Sequence, residues 1–260
     1  MGIKKLILTG STLILSGCAL YRPGTGFESV QTETANRLHA EVSWTDEPEQ
    51  NSDLKKRVSD LLAEDLTVDN AVQIALLNNL ELRALYEDLG LVQAQLVSAS
   101  LISNPVLSTS RRFPGKAFEF DVAHNFLSLA LLPLRKRLAQ EQFEGAKLIL
   151  THEIVSHAFE TREAFYELQA SLQTLELQRA VSAALEGSAD IASRLRRAGN
   201  VPLLELHSEE ALMAEGRLAV ATSEQEVIRK RERLNVLMGL WGGETAWSVP
   251  PRLREIPPEE

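Results

Sequence analysis

This 260-residue sequence has 36 Asp and Glu residues, five His and one Cys, but carboxylates and a few Ser residues alone do not make an active site. His152 and His157 are five residues apart, so on a helix they would occupy different faces and make poor co-ligands. His39, His124 and His207 are scattered along the chain. No Cys/His cluster has metal-ligand spacing, and no phosphate-binding loop, nucleophile elbow or HExxH motif occurs. The sequence therefore predicts neither an enzyme nor a protein with a metal or other cofactor.

The only cysteine, Cys18, ends the stretch Leu15-Ser16-Gly17-Cys18 behind two lysines and an apolar run. That run is too short and interrupted for a membrane-spanning helix, which needs about 20 apolar residues, and it is typical of a signal peptide. A leucine, two small residues and a cysteine resemble the bacterial lipobox, where lipid is attached to the thiol and the chain is cleaved before it. We expect a signal peptide at 1–17 and a lipid anchor on Cys18; the alternative is an ordinary buried cysteine. By the same resemblance, Ala19 after the cysteine implies the outer membrane.

Composition and charge indicate long helices and exclude some partners. The formal net charge is −9, and cleavage that removes Lys4 and Lys5 would make it −11. An acidic chain without a block of like charge argues against nucleic acid binding. Leu and Ala abound, Gly and Pro are few and clustered, and only 5% of residues are aromatic, as in helical proteins. Residues 18–65 lack this pattern, and we predict for them a lipidated, extended leader.

From Leu66 onward, apolar spacing predicts the elements. Thr67 is placed to cap a short helix that breaks at Asn78-Asn79. The next segment ends before Pro105 and repeats its apolar residues at intervals of three and four, as a coiled coil does. These residues are Leu82, Leu85, Leu89, Val92, Leu96 and Ala99.

A change to a period of two predicts a β-hairpin at about 105–130. Phe118, Phe120 and Val122 alternate with Glu119 and Asp121, which is the pattern of a strand. A weaker strand precedes it at 106–110, and Pro and Gly residues supply the turn between them.

Two long helices follow the hairpin. The first is predicted at about 134–198, and at 1.5 Å per residue it would be roughly 100 Å long. It ends at Gly199-Asn200, and Pro202 opens a second helix at about 203–240. Apolar residues recur every seven positions in that helix, at Leu206, Met213, Val220, Val227 and Leu234. The predicted fold class is mainly α, with long antiparallel coiled-coil helices, a β-hairpin and a proline-rich tail at 244–260.

The order of these elements and three stretches resemble the TolC-like outer-membrane efflux protein family. The stretches are LTVDNAVQIALLNNLELRALYEDLGLVQAQLVSASLISNPVLS (66–108), RRAGNVPLLELHSEEALMAEGRLAVA (196–221) and LNVLMGLWG (234–242). The resemblance covers 66–243 and implies one helix–hairpin–helix repeat. Glu205 stands where the family commonly has aspartate, and 126–134 replace a shorter proline-and-glycine link.

The resemblance implies roles for the hairpin and for the turn between the long helices. In a trimeric or higher outer-membrane β-barrel, Phe118, Phe120 and Val122 would face lipid, and Glu119 and Asp121 the water-filled lumen. A soluble hairpin packed on a helix would show the same alternation. The turn would be the periplasmic tip that docks an adaptor protein, formed by Arg197, Gly199, Asn200, Val201, Pro202, Leu204 and Glu205. The basic residues there would also complement the helix dipole in any protein.

One departure concerns length. Family members carry two repeats per chain and form trimers with twelve barrel strands, whereas this sequence holds one repeat. Six strands from a trimer would leave no useful pore, because eight strands already fill their interior with side chains. We expect either a truncated or split half of a channel, which we favour, or an assembly of six copies.

The resemblance thus implies an outer-membrane channel component of a tripartite efflux system. It would be lipid-anchored, extend into the periplasm, form a homotrimer or higher homo-oligomer, and export small molecules or metal ions. Its partners would be a periplasmic adaptor protein, an inner-membrane pump and outer-membrane lipid. The alternative is a coiled-coil envelope lipoprotein that acts as a spacer or scaffold and forms no pore.

Overall fold

A computed structural model describes residues 26–44, 48–111, 118–250 and 252–253. The helices are α1 Phe27–Leu38, α2 Pro48–Leu61, α3 Val68–Asn78, α4 Leu80–Ser100, α5 Phe126–Ala130, α6 Leu132–Arg197 and α7 Leu203–Met238. Strands β1 Val106–Arg111 and β2 Phe118–Ala123 lie between α4 and α5, and a 3-10 turn, Gly242–Thr245, follows α7. The chain divides into two compact units, Met1–Glu33 with Arg83–His152, and Thr34–Leu82 with Glu153–Glu260.

The predicted fold class is confirmed, because long helices and an antiparallel hairpin dominate the described residues. Helix α6 has 66 residues and α7 has 36. Pro133 is the second residue of α6 and does not break the helix, because proline is tolerated in the first turn. Among the described helices, none is both long and apolar enough to cross a membrane.

The core of the second unit is built around α3. Six of its eleven residues are buried, so this helix is apolar on most sides and sits within the core. Thr67 caps it as expected, since its hydroxyl accepts a hydrogen bond from the Asn70 amide at 3.1 Å. Ile74 packs in a cluster with Leu168 of α6 and Leu234 of α7, and all three are at most 1% exposed.

The Asn78-Asn79 pair does more than break a helix. The Asn78 side chain donates to the backbone oxygens of Met238 (3.2 Å) and Gly239 (2.8 Å) at the end of α7. Asn79 donates to Leu237 O at 3.0 Å, while its own oxygen accepts from the first amides of α4. The last carbonyls of a helix have no intrahelical partner, so the two amides satisfy one helix end while Asn79 also caps the start of α4.

Helices α6 and α7 pair along the predicted seven-residue repeat. Four of its five positions in α7, Leu206 to Val227, are partly buried, and Leu234 is fully buried. Gly216 allows close approach, because a Cβ there would lie 2.8 Å from Leu185 of α6. Ion pairs join the two helices on the surface, at Arg179–Glu224 (2.8 Å) and Arg217–Glu186 (2.9 Å).

Two sequence predictions differ from the structure. The extended leader is wrong where the structure describes it, because α1 and α2 are helices within 18–65. Tertiary packing stabilises these two helices, because the Phe27 ring packs edge-on against Tyr86 at 5.0 Å between centroids and Val58 lies in the core of the second unit. The predicted hairpin region is too long, since α5 occupies its last residues. Within the predicted tail, Trp247 packs into the core of the second unit and is 5% exposed.

Candidate functional site

The hairpin has one apolar and one polar face in the part that the structure describes. The register pairs Leu107 with Val122, Thr109 with Phe120, and Ser108 with Asp121. Cross-strand partners share a face of an antiparallel pair, and successive residues alternate between faces. One face therefore carries Leu107, Val122 and Phe120, while Ser108 and Asp121 lie on the other.

The apolar face is uncovered. Leu107 is 66% exposed, Phe120 69% and Val122 71%. A soluble hairpin packed on a helix would bury such residues, so the structure does not favour that alternative. Phe118 and Glu119 pair in register with Arg111 and Ser110, but their side chains fall outside what the structure describes.

A short helix continues from the base of the hairpin. Asn125 caps α5 by accepting from the Ser128 amide at 3.2 Å, and Ser128 also contacts Ser103, beyond the end of α4, at 2.9 Å between hydroxyl oxygens. Phe126 is 77% exposed and meets the His124 ring edge-on. This segment is ordered although its apolar side chains point to solvent.

The turn between α6 and α7 is fixed by glycine geometry. Gly199 has φ +80°, and the Asn200 amide donates to Leu195 O at 2.9 Å. This is a Schellman motif, the helix C-terminus in which glycine is favoured. Arg196 donates to Val201 O at 3.1 Å and braces the turn. Pro202 then occupies the N-cap of α7, with no side-chain cap bond.

The predicted tip residues all lie at this one turn. Arg197, Gly199, Asn200, Pro202, Leu204 and Glu205 are exposed, and Val201 is partly buried. Leu204 is 77% exposed, and with Leu203 at 50% it gives the turn an apolar pair beside its arginines. The structure therefore brings these residues together on an accessible surface.

Other predicted features have no described site. Cys18 and residues 1–17 lie outside the described residues. Within the described ranges, no group of three His, Cys, Asp or Glu side chains could hold a metal ion. His157 instead contacts Leu237 O through Nε2 at 2.9 Å, as part of the packing at the end of α7.

The sequence analysis missed a basic run beside the hairpin. Arg135, Lys136 and Arg137 follow the apolar segment 126–134 and are all exposed. A simple search for consecutive like charges after an apolar run would have found them.

Solved structures share this fold. CusC, known from crystal structures that report conformational changes accompanying folding and transmembrane channel formation, is 15% identical with a TM-score of 0.60, over 74% of this chain and 46% of CusC. A membrane protein from Pseudomonas aeruginosa is 18% identical (TM-score 0.61; 73% of this chain, 48% of that chain). The outer-membrane channel OprN is also 18% identical (TM-score 0.56; 78% of this chain, 48% of OprN).

At the level of sequence, no protein-family model and no curated protein matches the chain. At these identities the structural likeness concerns the fold, and this chain spans about half the length of each structure that it matches. The similarity to TolC-like outer-membrane efflux proteins that the sequence motifs indicate is thereby confirmed for the fold.

Proposed function

We propose that the chain supplies one helix–hairpin–helix repeat of an outer-membrane efflux channel. The hairpin would cross the outer membrane, Cys18 would hold the chain to lipid, and the tip at 197–205 would dock a periplasmic adaptor that leads to an inner-membrane pump. The observation that carries the proposal is the uncovered apolar face of the hairpin. The channel fold of the structural neighbours supports it.

Hydrocarbon is the solvent that fits the apolar face. Leu107, Phe120 and Val122 are each about two-thirds exposed. Moving apolar surface out of water lowers the free energy by roughly 25 cal/mol for each Å². The opposite face cannot enter lipid, because acyl chains do not solvate the Asp121 carboxylate. A strand pair with these two faces suits a barrel wall between lipid and a water-filled lumen.

Assembly follows from the size of the repeat. Because two strands cannot close a barrel, several copies of the repeat are required. We propose a homo-oligomer, as a trimer with a second repeat supplied for each copy or as six copies of this repeat. The duct would export small molecules or metal ions, and the energy would come from the pump.

Conductance in planar lipid bilayers tests the pore directly. We expect purified, assembled protein to give cation-preferring channels, because Asp121 and Glu119 would contribute negative charge to the lumen. Asp121→Asn with Glu119→Gln should lower the cation preference and leave the channels open. Glu87→Gln with Asp88→Asn, an exposed acidic pair on α4, is the matched control and should leave selectivity unchanged. Assembled protein that never conducts would contradict the proposal and favour the spacer.

A further inference from the structure

We propose that the segment at the base of the hairpin is an interfacial collar that lies on the phosphate-bearing surface of the membrane leaflet. The collar comprises six apolar residues and a basic triplet: Leu101, Ile102, Phe126, Leu127, Leu131, Leu134 and Arg135-Lys136-Arg137. The collar proposal rests on the proposed function, because the proposed membrane-crossing hairpin places the collar where the hairpin enters the bilayer. Its partner is the phospholipid surface itself.

Topology gathers the collar at one end of the hairpin. The pair Val106–Ala123 closes the strand ladder at its open end, away from the turn between the strands. The Ser103–Ser128 hydroxyl contact at 2.9 Å then ties the chain that enters β1 to the chain that leaves β2. Leu101-Ile102 and α5 therefore lie on either side of the same base.

The collar presents its apolar side chains to solvent. Leu101 and Ile102 are each 57% exposed, and Phe126, Leu127 and Leu134 are 77%, 66% and 64% exposed. Monomeric soluble proteins rarely expose contiguous apolar patches of more than a few hundred Å² unless the patch binds something. The collar residues Leu101-Ile102 and α5 adjoin the two strands along the chain, so one lipid environment would cover the collar and the apolar face of the hairpin.

Hydrogen bonds hold the collar as a defined surface. Besides the Asn125 cap, the Leu131 amide bonds to Leu127 O and the Arg135 amide to Leu131 O, each at 3.0 Å. The Arg135 guanidinium donates to Ser128 O at 3.2 Å. These bonds fix α5 against the start of α6, so the apolar residues are exposed from an ordered backbone.

Charge complementarity selects the partner. Arg135, Lys136 and Arg137 are consecutive and exposed in a chain whose net charge is −9. Basic residues beside an apolar surface segment bind the headgroup region, where apolar side chains enter the acyl boundary and cations meet lipid phosphates. An acidic protein partner would bind the three basic side chains but would leave the six large apolar side chains in water. The phospholipid surface satisfies both parts of the collar.

Depth-dependent fluorescence quenching tests the position of the collar. The full chain with Cys18→Ser and a single new thiol, Leu127→Cys, is labelled with an environment-sensitive fluorophore. It is reconstituted into vesicles of phosphatidylethanolamine and phosphatidylglycerol that contain shallow or deep spin-labelled lipid. We expect stronger quenching by the shallow lipid than by the deep one. The control label at Leu148→Cys, an α6 leucine that is 72% exposed against 66% for Leu127, should not be quenched.

A third label separates this proposal from the proposed function. Phe120→Cys should be quenched by the deep lipid if the hairpin spans the bilayer. Deep quenching at Phe120 with none at Leu127 would overturn the collar and leave the channel proposal standing. Shallow quenching at Leu127 with none at Phe120 would overturn the transmembrane hairpin and leave a peripheral membrane surface. If the unlabelled Leu127→Cys variant forms disulfide-linked dimers when an oxidant is added, and the labelled variant is not quenched, a second copy covers the collar and the proposal is overturned.

Charge removal tests the phosphate contact. We expect Arg135→Gln with Lys136→Gln and Arg137→Gln to lower partitioning into phosphatidylglycerol vesicles at least about tenfold. The matched control replaces another exposed basic triplet, Lys55, Lys56 and Arg57, by glutamine and changes net charge equally. An equal loss in both triple variants would show a general charge effect and overturn the assigned contact.

Discussion

At the scale of single residues, Tyr86 shows a buried polar atom without a partner. The side chain is 1% exposed, and its hydroxyl makes no hydrogen bond within the described residues. Burial raises the pKa of the phenol well above its usual value near 10, because the charged form would lose its hydration. The ring itself is well placed against Phe27.

Replacement of Tyr86 by phenylalanine should therefore stabilise the protein. We expect Tyr86→Phe to raise the free energy of unfolding by about 1 kcal/mol at pH 7, since the unpaired hydroxyl no longer has to be buried. A folded-state pKa above the unfolded value gives stability that is complete below pH ~10 and is lost as pH rises further. Urea denaturation at pH 7 and pH 10.5 should show this alkaline loss in the parent chain and less of it in the variant.

The matched control is Tyr166→Phe, at a position that is 39% exposed. It should change the free energy of unfolding by no more than about 0.5 kcal/mol. A destabilised Tyr86→Phe variant would mean that the hydroxyl has a partner.

Two glycines end the long helices with the same backbone conformation but different surroundings. Gly199 has φ +80° and Gly239 has φ +66°. A Cβ at Gly199 would meet nothing within 4 Å, whereas one at Gly239 would lie 2.7 Å from Asn78 O. We expect Gly199→Ala to cost about 1 kcal/mol for the left-handed backbone, and Gly239→Ala to cost at least twice as much.

Denaturant midpoints of the two alanine variants measure this difference. Equal losses would show that backbone conformation alone sets the cost and that the Asn78 contact adds nothing. The sequence predicts Gly199 as a helix end, and its predicted end of the second helix, at about 240, lies next to Gly239. It cannot show the Asn78 carbonyl, which lies about 160 residues away along the chain.

At the scale of elements, the contact between α6 and α7 depends on a small residue. Gly216 faces Ser182 and Leu185, and a Cβ added to it would lie 3.5 Å from the Ser182 Cα, while Gly187 on α6 has open space around it. We expect Gly216→Ile to force the helices apart and to destabilise the pair by about 1–3 kcal/mol. Gly187→Ile, the matched control, should be neutral or stabilising, because isoleucine has the higher helix propensity.

Thermal denaturation followed by circular dichroism would compare the two variants. If the Gly216→Ile variant were as stable as the Gly187→Ile variant, the inference that α6 and α7 approach closely at Gly216 would be wrong.

Much of this element structure could be predicted from local pattern. The seven-residue repeat of α7 and the period of two in β2 are strong sequence signals, because in each element the apolar residues lie on one face. Helices α1 and α2 could not be predicted in the same way. They bury few apolar residues, and Phe27 and Val58 find their partners in distant segments. The candidate tip was predictable from Gly199 and Pro202, but the collar was missed because its exposed apolar residues lack a helical repeat.

At the scale of the whole molecule, the segment after α7 closes the second unit. Its Trp247 indole donates to Asn235 at 2.9 Å, and the Arg231 guanidinium lies 4.0 Å from the ring centroid. The Ser248 carbonyl accepts from the Leu66 amide at 2.7 Å. The segment thus joins the start of α3 to the end of α7.

Trp247→Ala should remove this closure. We expect a loss of about 3–5 kcal/mol in the free energy of unfolding, because a large buried side chain leaves a cavity and an unpaired amide. Trp241→Ala, at a position that is 79% exposed, is the matched control and should change stability by less than about 1 kcal/mol. Similar unfolding curves for the two variants would contradict the structural role of Trp247.

If the chain is exported as we propose, the Asp65–Ser248 contact also sets an order of events during its biogenesis. These residues are 183 positions apart, and the hydrogen bond between their side chains forms only when both have reached the same compartment. A polypeptide threaded through a translocation pore from its amino end cannot complete this fold while Ser248 is still behind. Passage in an unfolded state and folding on arrival would then follow from where the closing residues lie along the chain.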